Sequence, residues 1–149
     1  MGLDMYLKAK RFYYDEARAQ EIINLTMPEN HPFKKLRQAD VTIEIGYWRK
    51  ANEIHNWFVN NVQDGEDNCA EYWVSKENIE SLLATVRKVL DDPKLAEELL
   101  PTQGGFFFGS TEYDECYFAG LRETEEILAN VVSFVKENPA FHLYYQSSW

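Results

Sequence analysis

The sequence predicts one α+β domain: a small, mostly antiparallel sheet of about three to five strands packed with three or so helices. Three observations predict it. Leu3, Met5 and Leu7 alternate with Asp4, Tyr6 and Lys8, and Val41, Ile43 and Ile45 alternate with Thr42 and Glu44. That is the period of a strand with one buried face. Apolar residues recur at helical spacing in Ile79, Leu82, Leu83, Val86 and Leu90, and again from Tyr117 through Leu121, Thr124, Leu128 and Val131 to Val135. Strand-like and helix-like segments do not alternate regularly enough for a doubly wound parallel sheet. With 149 residues the chain is one domain, 1–149, long enough to bury a core without metals or disulfides.

The first strand covers 3–8, and a short helix follows over 15–25 with Ala19, Ile22 and Ile23 inward. Residues 26–39 contain Pro28 and Pro32 and read as a loop. The second strand runs from Val41 to Ile45 and ends at Gly46. From Tyr47 to about Val62 the period turns helical. Ala51, His55, Phe58 and Val62 form one stripe, flanked by Trp48, Ile54 and Val59. Arg49, Glu53, Asn56 and Asn60 face away, and Trp57 stands on the polar side as an exposed aromatic.

Residues 63–68 are a turn, and Tyr72 to Val74 a short strand. Ser75 caps a helix to about Leu90, and Pro93 opens another through Leu100. Residues 101–109 form a loop around a strand-like Phe106-Phe107-Phe108. Ser110 or Thr111 then caps the longest helix, with Glu112, Asp114 and Glu115 suiting the positive end of its dipole. Pro139 stops that helix, and Phe141, Leu143 and Tyr145 form a last strand.

Composition narrows the function. A net charge of −10 repels phosphate backbones, so direct nucleic-acid binding is not expected. Nine of the Lys and Arg residues fall in 1–50 against seven carboxylates, leaving six against eighteen in the remainder. The first third therefore holds the candidates for a basic patch, among them Lys8, Lys10, Lys34, Lys35, Arg37 and Lys50. No apolar run reaches the ~18 residues of a membrane span, and the opening residues lack the basic and apolar parts of a signal peptide. Cys69 and Cys116 are then free thiols in a reducing compartment, and a cytoplasmic protein is expected.

Polar and aromatic residues cluster at four junctions. The first holds Trp48, Arg49, Lys50, Asn52 and His55, where a strand passes into a helix and free backbone N–H groups can meet a ligand. His55 falls inside the apolar stripe, so a polar partner has to reach its ring, whether a backbone carbonyl, a ligand or a reacting group. No second metal-ligating side chain shares that face. Next comes the loop with Gln103, Gly104, Gly105, Phe107 and Gly109. Its shape suits an anion, but it lacks the P-loop lysine, and the acidic helix start beyond it repels phosphate. Tyr113 precedes Asp114 and Glu115, which are adjacent and so cannot face one another as acid and base on a helix. The last junction ends in Trp149, an indole expected to dock rather than fray. Asp64, Glu66 and Asp67 lack calcium-loop spacing and read as a solvated turn. No cofactor or metal is expected.

These segments together resemble a known group. The opening 2–7 (GLDMYL), the run 44–52 (EIGYWRKAN) with His55 and 57–59 (WFV), the loop 100–103 (LPTQ) with 105–109 (GFFFG), 113–115 (YDE), and the closing 146–149 (QSSW) are similar to small uncharacterised proteins encoded by bacteriophages and by bacteria carrying prophage. The likeness spans nearly the whole chain and is weakest over 11–38. The group brings no established activity. The resemblance implies a phage accessory protein acting in the cytoplasm of a bacterial host cell.

The leading expectation is a non-catalytic binding protein that interferes with a host defence system. Trp48, Arg49, Lys50, Asn52, His55, Gln103, Phe107, Tyr113 and Trp149 are its candidate ligand-binding residues, for a small polar or nucleotide-like molecule. One alternative is an acidic protein-binding inhibitor of a host protein, mimicking nucleic acid. Another is a small enzyme using His55 as acid or base with a thiol or carboxylate. Self-association as a homo-oligomer is compatible with each.

Overall fold

The computed structural model describes residues 2–27 and 38–149. Strand β1 spans Asp4–Tyr13, helix α1 Glu16–Thr26, and strand β2 Ala39–Arg49. Helix α2 (Asn52–Asn61), strand β3 (Tyr72–Val74) and helix α3 (Lys76–Asp91) follow. A 3-10 turn at Pro93–Leu95 leads into the short helix α4 (Ala96–Leu99), then helix α5 (Glu115–Glu137) and strand β4 (His142–Ser148). The four strands form one antiparallel sheet in the order β2-β1-β4-β3. The α+β reading therefore stands. The loop expected around Pro28 and Pro32, and the candidate basic residues Lys34, Lys35 and Arg37, lie outside the described residues.

Alternation decides which face of the sheet is buried. Leu3, Met5, Leu7 and Ala9 point to one side with Leu143 and Tyr145 of β4 and Val74 of β3, all buried. Ile79, Leu82 and Val86 of α3, Leu121, Leu128 and Val131 of α5, and Ile54 and Phe58 of α2 close over that side as one core. Phe58 stacks flat on Tyr145, with ring centroids 3.9 Å apart. No helix among the described residues is long and apolar enough to cross a membrane.

Local signals set several elements where the sequence places them. Tyr72–Val74 is the short strand, and the Ser75 hydroxyl accepts from the Asn78 amide to cap α3. Pairing overrides local signals elsewhere. Gly46 does not end β2; the strand runs on to Arg49, and the register slips by one residue at Leu7 and Lys8. A Cβ at Gly46 would lie 3.1 Å from Ile127 and from the Trp48 ring, so glycine here permits the close approach of α5 rather than a turn. Helix α2 accordingly begins at Asn52, not Tyr47. The Phe106–Phe108 segment is a bent loop, not a strand, and Phe106 is 95% exposed. Asp114, not Ser110 or Thr111, caps α5: its carboxylate accepts from the Cys116 and Tyr117 amides. Glu112 thus precedes the helix instead of lying in its first turn.

Candidate functional site

Helix α2 carries two buried ionisable residues two positions apart, and they meet opposite surroundings. His55 is fully buried. Its Nδ1 lies 2.8 Å from the Tyr145 hydroxyl and its Nε2 lies 3.0 Å from Asp67 Oδ2. Burial, then the neighbouring Asp67 and Cys69, hold the Tyr145 phenol well above its ordinary pKa. The Asp67 carboxylate can only accept, so Nε2 carries a proton toward it, and Nδ1 shares its hydrogen bond with the Tyr145 hydroxyl. Asp67 Oδ1 also accepts from the Trp149 indole at 3.0 Å. Phe108 meets the imidazole edge-on at 5.4 Å. Both ring nitrogens are occupied and no substrate reaches them. The chain Tyr145–His55–Asp67–Trp149 is a structural pin that ties α2, the turn after it and β4 together.

Asn52, at the start of α2, is also buried. Its side-chain amide donates to the Phe108 and Ser110 carbonyls at 3.1 and 2.8 Å, and its oxygen accepts from the Gln103 amide at 2.8 Å. Asn56 adds a bond to the Pro101 carbonyl at 3.2 Å. The Leu3 amide donates to the Phe107 carbonyl. These bonds fold the glycine-rich loop down over the start of α2. Gly109 completes the fit: its φ is +96°, and an added Cβ would approach the Lys50 Cβ to 3.0 Å.

Glu53 lies beneath that loop and is 5% exposed. Its helical position predicts an outward carboxylate. The loop and the start of α5 instead close over it. No other side chain bonds to its carboxyl, and burial raises the pKa from 4.5 to about 7 against the opposing pull of its own backbone N–H. The carboxyl fronts a cavity of about 250 Å³. Arg49, Lys50, Ser110, Cys116 and Tyr117 line it, with Glu112 and Asp114 on the same wall. Burial, with the nearby Glu53 and Tyr113, also raises the Tyr117 phenol; its hydroxyl donates to the Leu100 carbonyl at 2.9 Å.

The nine candidate residues do not share one pocket. Arg49 and Lys50 reach the Glu53 cavity, and Asn52 and Gln103 hold its roof. His55 and Trp149 belong to the pin. Trp48 is buried, its indole donating to Thr124 at 3.1 Å. Phe107 serves through its carbonyl, and the Tyr113 hydroxyl accepts from the Thr102 amide at 3.2 Å. Asn56 does not face away, and Trp57 is half-buried, edge-on to Phe58 at 5.5 Å rather than exposed. Asp67 is not a solvated turn residue but the partner that His55 requires. Neither thiol pairs with His55.

Glu53 and Tyr117 escape a reading of the sequence as site residues, and Cys116 enters it only as a candidate partner thiol for His55. Only the fold brings residues 109–117 onto the start of α2. No protein-family model matches the chain, and no curated protein or solved structure is similar to it.

Proposed function

We propose that this protein is a non-catalytic binding protein that holds a small polar or nucleotide-like ligand in the Glu53 cavity. One observation carries the reading: a nearly buried carboxyl with no side-chain partner fronts a cavity roofed by an ordered loop. Burial disfavours the charged form of this carboxyl, and a ligand bringing N–H donors to Glu53 offsets that cost. The volume suits a single polar ring or a compact amide or amine. Arg49 and Lys50 supply positive charge for one anionic group, whereas Glu112 and Asp114 oppose a polyphosphate. The resemblance to phage and prophage proteins supports the wider role, interference with a host defence system by sequestering such a ligand.

Titration calorimetry of the wild type and Glu53→Gln against nucleosides, nucleoside monophosphates and cyclic dinucleotides tests the site. The expected result is binding of one class by the wild type, weakened about tenfold or more in the variant. Heat from no member of the panel counts against a nucleotide-like ligand, and equal affinity of the two proteins moves the site away from Glu53. A second reading rests on the pKa of about 7: a carboxyl poised there transfers protons at neutral pH, so Glu53 is the residue that an acid–base activity would use.

A further inference from the structure

The side of the sheet turned away from the helices carries its own pattern. Antiparallel sheets with one solvated face ordinarily show polar residues there. Here each strand contributes an aromatic. Tyr47 of β2 is opposite Tyr6 of β1, and Trp73 of β3 is opposite Tyr144 of β4. Tyr6 faces Gln146 and Tyr144 faces Lys8, so Tyr6 and Tyr144 are diagonal neighbours. The four rings make one oblique stripe across the whole sheet. Tyr6 and Tyr47 lie 5.5 Å apart, and Trp73 is 59% exposed and Tyr47 43%. No described helix covers them.

The groups around the stripe are paired among themselves. Lys8 and Lys10 both meet Glu71, and Lys8 also donates to Gln146 at 2.9 Å. Lys10 lies over the Tyr144 ring at 4.9 Å. Arg49 and the Tyr47 hydroxyl share Asp4. Over the rows from Asp4 to Lys10 the cations Lys8, Lys10 and Arg49 balance the carboxylates Asp4, Glu44 and Glu71. This face is thus electrically neutral on a chain of net charge −10.

We propose that this open face is the interface of a homodimer, two sheets packed stripe against stripe about a two-fold axis. A two-fold contact sets one patch against itself, so a charged patch would repel its copy and a balanced one does not. The same neutrality gives a polyanion nothing to hold. Exposed, rigid Tyr and Trp side chains are the residues that dominate protein interfaces. Six residue steps along β2, β1 and β4, with the three residues of β3 at one edge, give a footprint of roughly 330 Å² in projection. That is below the ~800 Å² that each partner of a standard interface contributes, so the dimer expected is a weak one that forms as concentration rises.

Sedimentation equilibrium of the full chain over a wide concentration range tests the proposal. The mass is expected to rise from that of one 17.5 kDa chain to twice that value. Trp73→Ala is expected to weaken association about tenfold or more, while Leu25→Ala, at an exposed position of α1, leaves it unchanged. Circular dichroism confirms folding of each variant, and Trp73 lies outside the Glu53 cavity, so ligand binding there is unaffected. A one-chain mass at every concentration overturns the proposal, as does a dimer indifferent to Trp73→Ala. Quenching of Trp73 fluorescence in a monomer by oligothymidylate or a soluble glucan would assign the face to that polymer instead.

Discussion

His55 and Glu53 stand two residues apart on one helix, both counted among its buried residues, and differ in what meets them. Every polar atom of the imidazole has a partner supplied by the fold; the carboxyl has a cavity. A satisfied buried polar group specifies a structure, whereas an unsatisfied one carries a cost that a function must justify. The contrast separates the pin from the site more sharply than residue type does, because histidine by itself is the commoner catalytic residue.

The largest effect should come from breaking the satisfied member. His55→Ala leaves the Tyr145 hydroxyl and Asp67 without their shared partner and opens a hole in the core, so unfolding in urea should show a loss of about 3–5 kcal/mol. A loss below about 1 kcal/mol would mean that the pin does not hold the fold. Glu53→Gln should act in the opposite direction. Between pH 4.5 and about 7 the folded chain retains a proton that the unfolded chain has released. Raising the pH through that window therefore favours unfolding, and wild-type stability should fall by up to about 3 kcal/mol between pH 4 and pH 8. The variant should lose that slope and be the more stable protein at pH 8. An unchanged slope would place the titration elsewhere. Trp149→Phe should have the smallest effect, about 1 kcal/mol, since the indole is 48% exposed and contributes one hydrogen bond. A loss as large as that of His55→Ala would make Trp149, not His55, the centre of the pin.

Much of the scaffold was legible because its signals are local. The Tyr72–Val74 strand, the Ser75 cap and the stripes of α3 and α5 each follow from a few neighbouring residues. His55 announced its need for a partner, and the need was met, although by an acid in the turn just beyond the helix. Elements set by distant pairing were not legible. β2 passes through Gly46 because β1 lies beside it. Glu53 looks outward on a helical wheel, and only Asn52, drawing down a loop about fifty positions further along the chain, buries it. A carboxylate on a helix surface and one beneath a folded loop have the same local sequence.

The place of β1 between β2 and β4 has a consequence for how the chain acquires its fold. Its contact with β2 runs from Asp4 with Arg49 to Tyr13 with Ala39, but its contact with β4 joins Asp4 to Ser148 and Lys10 to His142. The central ladder therefore closes over nearly the whole chain. During synthesis β1 and β2 are free to pair early, while the other edge of β1 waits for the last strand to leave the ribosome. Helices α3 and α5 pack on each other through contacts much closer in sequence than the β1–β4 ladder. Such long-range closure raises the contact order of the fold, a feature that goes with slower folding than local helix packing.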